Sequence, residues 1–332
     1  MAPPPRASPS YRTLLREILR LARPEGSRGH TERLRALAAS LSAGGAGALA
    51  VADLAARLNA ALLRRLAALF EEGRGPAPAS WAWLALGSDG RREQPLPTDQ
   101  DHAMVLSPGD EGEWVKDLAE RLSQDLCAAG FSPCPGGLSA SRWRASLPTW
   151  CDRVRGWMAE PDPESVLSAA ALADARRVAG RLDPAPLRAA LARAANYPRF
   201  LSELARAALE FRPAPPLLFR LGAARLDLER DGLAPVVLLA RVYGLAAGAP
   251  APGTCARLGA ARAAGHIDPE LASRAEDAFR VLAELRFRAG LGGGSAGPVL
   301  ARALAPGDRA AALAALGAVR RLQDRAAERF LW

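Results

Sequence analysis

Asp99 and Asp101, separated by a single glutamine, are the residues of this sequence best placed to do chemistry. In an extended strand, residues two apart project to the same face, so the pair aims two carboxylates at one point, about 7 Å apart along the chain. Hard oxygen ligands so arranged suit magnesium. Gly87 and Ser88 stand a short way upstream. A glycine there lets the backbone approach a ligand closely, and free N–H groups in such a turn can point at phosphate oxygens. Paired carboxylates beside a phosphate-binding turn are what metal-assisted phosphoryl or nucleotidyl transfer requires.

The elements that must position these groups lie in one stretch, WAWLALGSDGRREQPLPTDQDHAMVL, from Trp81 to Leu106. Its two apolar runs, WAWLAL and HAMVL, are short enough for buried strands, and the Gly, Ser, Pro and charged residues between them must turn the chain. The glycine–serine pair closes the first run and the aspartates open the second. His102 points to the opposite face from Asp101 and is expected to pack against a helix. His30 and His266 read as ordinary helix-flank residues.

The string Gly87, Ser88, Gly90, Arg91, Glu93, Gln94, Thr98, Asp99, Gln100 and Asp101 resembles the pattern GSxGRxEQxxxTDQD. That pattern marks a group of bacterial nucleotidyltransferases of the DNA polymerase beta superfamily. The group is similar to the catalytic domain of protein-PII uridylyltransferase and carries a following helical domain called substrate-binding. The resemblance implies that Asp99 and Asp101 bind two magnesium ions bridging the phosphates of a nucleoside triphosphate, and so activate an acceptor hydroxyl for in-line attack at the α-phosphorus. It gives Gly87, Ser88 and Gly90 to the β- and γ-phosphates, Arg91 or Arg92 to their charge, and Thr98 to orienting the loop. Glu93, on the loop away from the strand, is expected to pair with an arginine. The competing reading makes GSDG a plain turn and PTDQD a solvated hairpin end.

Composition bounds the partners. The net charge of +9 invites a polyanion, but Lys116 is the only lysine, and the arginine and alanine excess reads as compositional bias. Residues 81–160 hold 8 basic against 12 acidic side chains, the reverse of what a nucleic-acid surface needs. The four cysteines show no Cys-x-x-Cys spacing, which fits a reducing compartment. No apolar run reaches membrane-spanning length, so a cytoplasmic protein without membrane or nucleic-acid partners is expected.

Around the signature the chain reads as helices. A Pro-rich start read as disordered precedes helices over 10–22, from an N-cap at Thr31 to Gly44, and through Val51–Phe70; these form an N-terminal helical unit, residues 1–75. The catalytic domain is placed at 76–147, with an amphipathic helix over 113–129 and a strand region over 131–140. Residues 148–332 are read as a helical domain closing the cleft, with helices near 164–180, 184–195, 197–211, 233–247, 254–264, 268–289 and 307–330, and a Gly-rich break at 290–297. Trp150 and Trp157, seven apart, share one helix face and are read as core packing between domains. The fold class is α+β, mostly helical: a helical N-terminal unit, a small mixed sheet, and a C-terminal helical domain.

The resemblance extends over roughly residues 50–330, with departures at Ser139, in a shortened loop before Trp143, at Leu172 and Ala173, and at Glu229. A third metal-binding carboxylate, usual in such sites, has no obvious source, because no Asp or Glu stands between Asp125 and Asp152. Asp174 is the candidate. It lies in the apolar segment LSAAALADARRVAG, where an unpaired carboxylate would be costly, so it needs either an arginine or the metal site. The expected activity is transfer of a uridylyl or adenylyl group to a hydroxyl on a protein or small molecule, and the alternative is a nucleotide-binding regulatory module with little turnover.

Overall fold

The computed structural model describes residues 10–109, 112–211, 225–249, 251–292 and 299–331. The Pro-rich start and most of the Gly-rich break lie outside them. The chain divides into two compact units, Met1–Pro148 with Arg176–Pro184, and Thr149–Ala175 with Ala185–Trp332.

The first unit opens with α1 (Tyr11–Leu19), capped by the Ser10 side chain, then α2 (His30–Ala43) and the long α3 (Ala48–Arg74). Gly29, not Thr31, caps α2, because a left-handed backbone at Gly29 turns the chain into the helix one residue before His30. Leu58, Leu62 and Leu66 recur every fourth residue on α3 and are sealed in the core.

The sheet consists of β1 (Trp81–Ala85), β3 (His102–Leu106), β5 (Arg144–Ser146) and β6 (Arg176–Gly180), in the order β5-β3-β1-β6. β1 runs antiparallel to both β3 and β6, and β3 parallel to β5, so the sheet is mixed as expected. Trp81 and Trp83 of β1, with Met104 and Leu106 of β3, join the core that α3 and α5 (Glu113–Ala128) cover through Leu118 and Leu122. A short parallel pair, β2 (Asp99–Gln100) with β4 (Ser132–Pro133), sets Asp99 opposite Ser132.

The fourth strand corrects the sequence reading. Residues 164–180 were expected to form one helix, but α7 (Pro163–Ala173) stops and the chain returns as β6 beside β1. Thus part of the sheet comes from beyond residue 147, where the sequence places the end of the catalytic domain. The region over 131–140 also forms less strand than expected, only the two residues of β4.

The second unit holds α6 (Leu147–Ala159, from Thr149 onward), α7, α8 (Ala185–Ala192), α9 (Pro198–Leu209), α10 (Ala234–Ala246), α11 (Thr254–Ala263), α12 (Pro269–Leu291) and α13 (Pro306–Phe330). α10 is buried almost all round and packs against α9, α11 and α13. Trp150 and Trp157 meet edge to face at 6.3 Å, and Arg153 lies over the Trp150 ring. Among the described residues, no helix is long and apolar enough to cross a membrane.

Candidate active site

The site is built where β1 ends. Leu86 donates its N–H to the carbonyl of Asp101 at 2.8 Å, which stitches the end of the first strand to the start of the second. The chain then makes one helical turn, Gly87–Gly90. Gly87 has φ +54°, and a Cβ there would collide with Asp101 Oδ2. Only glycine brings the turn this close to the carboxylate. The N–H groups of Gly90, Arg91, Arg92 and Glu93 are taken by carbonyls of the turn itself, whereas the first N–H groups of a helical turn have no intrahelical acceptor.

Two features lock that turn. Asp89 is buried, and Arg176 reaches from β6 to its carboxylate at 3.4 Å, to its carbonyl at 2.8 Å and to the Gly90 carbonyl at 3.2 Å. Burial pushes the Asp89 carboxyl upward, against the pull of the Arg176 charge and a hydrogen bond from Asn59. Arg91 donates to Glu93 at 2.7 Å, the arginine pairing expected for Glu93, and both side chains are largely buried. Arg92, with φ +58°, pairs with Asp53 of α3 at 3.0 Å. Both arginines assigned to phosphate charge are therefore already engaged with carboxylates.

In the loop before the aspartates, the side-chain amide of Gln94 donates to the Thr98 hydroxyl and to the Asp99 carbonyl, the latter at 3.1 Å. Thr98 thereby helps hold the approach to Asp99, through Gln94. Asp99, Asp101 and Cys134 come together, with one ligand atom from each lying within 4.8 Å of the others. The cysteine follows directly on β4, so the parallel pairing that sets Asp99 beside Ser132 carries Cys134 to Asp101. Desolvation, then a hydrogen bond to Asp101, holds the Cys134 thiol above its ordinary pKa. Two hard carboxylates fit magnesium, while a thiol adds nothing to its coordination.

A cavity of about 280 Å³ adjoins the cluster, lined by Gln100, His102, Phe131, Cys134, Ser139 and Arg142 among others. His102 is buried against Trp83 at 5.1 Å between ring centres, and its Nε2 bonds to the side-chain Oε1 of Gln100 at 3.0 Å. Burial lowers its pKa to about 3, so it is neutral and structural, as its position on the strand suggested. His30, read as a helix-flank residue, is instead buried against Asn59, with its pKa lowered to about 4 mainly by desolvation.

Asp174 has the other of its two expected fates. It is fully buried, and its carboxylate receives Arg241 at 3.2 and 2.6 Å and Arg257 at 2.7 Å. Both arginines belong to the same helical unit as Asp174, so the carboxylate has the arginine partners that its apolar surroundings require. Asp125, the last acid before the carboxylate-free stretch, pairs with Arg121. Sequence reasoning missed Cys134, Asp89 and the clamping role of Arg176. Glu229, in place of an expected lysine, pairs with Arg286.

Residues 32–164 match the family described as Putative nucleotidyltransferase DUF294, and residues 198–330 match the Putative nucleotidyltransferase substrate binding domain. The two matches fall on the Gly87–Gly90 turn with the carboxylate pair, and on the helices from α9 to α13. No match to the chain was found among curated proteins.

Proposed function

We propose that this chain, whose two matched regions are those of a nucleotidyltransferase and its substrate-binding domain, transfers a nucleoside monophosphate from a nucleoside triphosphate to a hydroxyl. The observation that carries the reading is the contact between the two halves of the signature, which sets the Gly87 turn directly against Asp101 beside Asp99. Asp99 and Asp101 would hold divalent cations, magnesium by the hardness of their oxygens. When bound, such ions neutralise triphosphate charge and favour ionisation of an acceptor hydroxyl.

The protein's own groups do the rest. Gly87 and Ser88 present the first N–H groups of a helical turn to phosphate oxygens, and the positive end of that turn favours the anion. Arg176 and Asp89 keep the turn in place, and Gln94 fixes the backbone at Asp99. Arg91 and Arg92 contribute positive potential through guanidinium groups anchored by Glu93 and Asp53. The Gly-Ser turn with the Asp-x-Asp pair resembles the signature of the DNA polymerase beta superfamily, which supports uridylyl or adenylyl transfer to a protein or small-molecule hydroxyl as the proposed reaction. The region matched as substrate-binding is the proposed source of acceptor contacts.

The test is pyrophosphate release and label transfer from each nucleoside triphosphate with magnesium, with and without cell extract as the source of acceptor. Asp99→Asn and Asp101→Asn should each abolish magnesium-dependent triphosphate binding while leaving the melting temperature nearly unchanged. Either variant binding like the parent removes the two-carboxylate site. Tight nucleotide binding with no release under any condition would instead make the chain a regulatory module.

A further inference from the structure

The stretch between Asp125 and Asp152, which holds no third carboxylate, brings a sulfur to the pair instead. Cys134 lies with Asp99 and Asp101 within ligand distance, and its thiol bonds to the Asp101 carboxylate. The arrangement is built by the main chain: β2 and β4 pair in parallel through Asp99 with Ser132 and Gln100 with Pro133, and Cys134 follows at once. Behind it, the Cys-Pro-Gly-Gly turn closes with the Gly137 N–H on the Cys134 carbonyl at 3.0 Å. The N–H groups of Gly136 and Leu138 are directed at the sulfur. These two contacts oppose, without outweighing, the desolvation and the Asp101 bond that hold the free thiol above its ordinary pKa, and they would support the sulfur once a metal displaces its proton. All four cysteines are free.

Hard and soft ligands select different ions. Magnesium demands oxygen, whereas zinc and cadmium accept mixed sets in which a thiolate contributes strongly. In a tetrahedral zinc site with bonds of about 2.0–2.3 Å, ligand atoms stand roughly 3.3–3.8 Å apart. The three atoms here, within 4.8 Å of one another, are a side-chain adjustment away from that geometry. Three protein ligands leave a fourth position open, the pattern of accessible rather than sealed zinc sites.

We propose that Asp99, Asp101 and Cys134 form a mixed oxygen–sulfur site that captures a thiophilic divalent cation of the zinc class through all three side chains, while magnesium engages the carboxylates alone. The proposal rests on the reading of Asp99 and Asp101 as the metal-binding pair. As the sulfur–metal bond forms, the thiol proton passes to solvent and nothing is oxidised or reduced. A captured zinc-class ion occupies the carboxylates that magnesium needs, so such ions compete with magnesium and halt turnover.

The experiment uses the full reduced chain and cobalt(II) alone as a spectroscopic probe. Wild-type protein should show a thiolate-to-cobalt charge-transfer band that zinc abolishes by displacement. Cys134→Ser, nearly isosteric and expected to melt like the parent, should lose the band and bind zinc at least about tenfold more weakly, with magnesium affinity essentially unchanged. Where turnover is measurable, zinc inhibition should weaken by the same factor. No band in the wild type, a band that survives in Cys134→Ser, or unchanged zinc affinity in that variant overturns the proposal. The two readings separate: magnesium-dependent nucleotide binding without a Cys134-dependent band leaves the transferase reading standing and this one fallen. A Cys134-dependent band in a chain that neither binds nor turns over nucleotide does the reverse.

Discussion

Replacing Asp174 with asparagine separates a structural from a catalytic carboxylate. In the helical unit one carboxylate serves two guanidinium groups: Oδ1 accepts from Arg241 Nε and Arg257 Nη1, and Oδ2 from Arg241 Nη2. All three residues are at most 5% exposed, and the Arg257 stem lies over Gly244, where a Cβ would stand only 2.8 Å from Arg257 Cγ. The arginines therefore have no easy route to solvent. An asparagine can place its carbonyl oxygen at the Oδ1 position and keep two hydrogen bonds, now to a neutral acceptor. Its amide would then face Arg241 Nη2 at the Oδ2 position, donor against donor. One charge-assisted bond is lost, two are weakened, and two buried cations lose their counter-charge. The loss expected for breaking a buried pair is about 3–5 kcal/mol, whereas three fully lost charged bonds at roughly 1.5–3 kcal/mol each would exceed it. We expect the lower range for Asp174→Asn and a larger loss for Asp174→Ala. At about 2–4 °C per kcal/mol, the asparagine variant should melt roughly 6–20 °C lower. Urea denaturation gives the stability, and nucleotide binding with magnesium on the folded fraction gives the function. Adding Arg257→Met should recover part of the loss, because it removes one unpaired cation. A variant that keeps its stability but loses magnesium-dependent nucleotide binding would refute the structural assignment.

Acid should destabilise the first unit through His30 and His102. Their folded pKa values, about 4 and about 3, lie below the unfolded 6.5. The unfolded chain thus binds more protons below pH 6.5, and stability falls as pH falls, by about 1.4 kcal/mol per pH unit for each histidine down to its folded value. From pH 7 to pH 4.5 the two together should lose roughly 5 kcal/mol, partly offset by Asp89, whose raised carboxyl favours the folded state as it takes up its proton. Urea titrations across that range, repeated on a His30→Gln, His102→Gln variant, should show the slope flattened; an unchanged slope excludes these groups. Gly87→Ala should cost roughly 1–2 kcal/mol for its left-handed backbone and, by pushing Asp101 aside, should remove magnesium-dependent nucleotide binding. Binding at parental affinity would show that the contact between turn and carboxylate does not matter.

Much of the fold was legible because it repeats a local pattern. The leucines of α3 and α5 recur at helical spacing, and the runs at 81–86 and 103–106 are apolar throughout, so helices and central strands follow from periodicity alone. β6 was not legible. Its sequence, RRVAG, has two apolar residues and follows an alanine-rich helix, so local propensity continues the helix. What makes it a strand is the free edge of β1, a tertiary partner nearly one hundred residues upstream, and context of that kind decides β structure more than propensity does. Its two arginines then act through their positions, Arg176 by clamping the Gly87–Gly90 turn and Arg177 by donating to the carbonyls of Arg181 and Leu182.

The candidate site divides in the same way. The carboxylate pair and the glycine turn were legible because strand alternation and glycine's conformational freedom fix both from adjacent residues. For Asp174, the requirement of a partner could be read from its apolar surroundings. The identities could not, since Arg241 and Arg257 stand 67 and 83 residues away and a chain with 43 arginines marks none of them out. The search for a third ligand failed differently, because it asked only for carboxylates. The stretch from Asp125 to Asp152 holds none, yet it holds Cys134 ahead of a Pro-Gly-Gly turn, next to a strand that pairs with Asp99. A soft atom in a position where hard ones are usual changes the question from whether the site can bind a metal to which metals it tells apart.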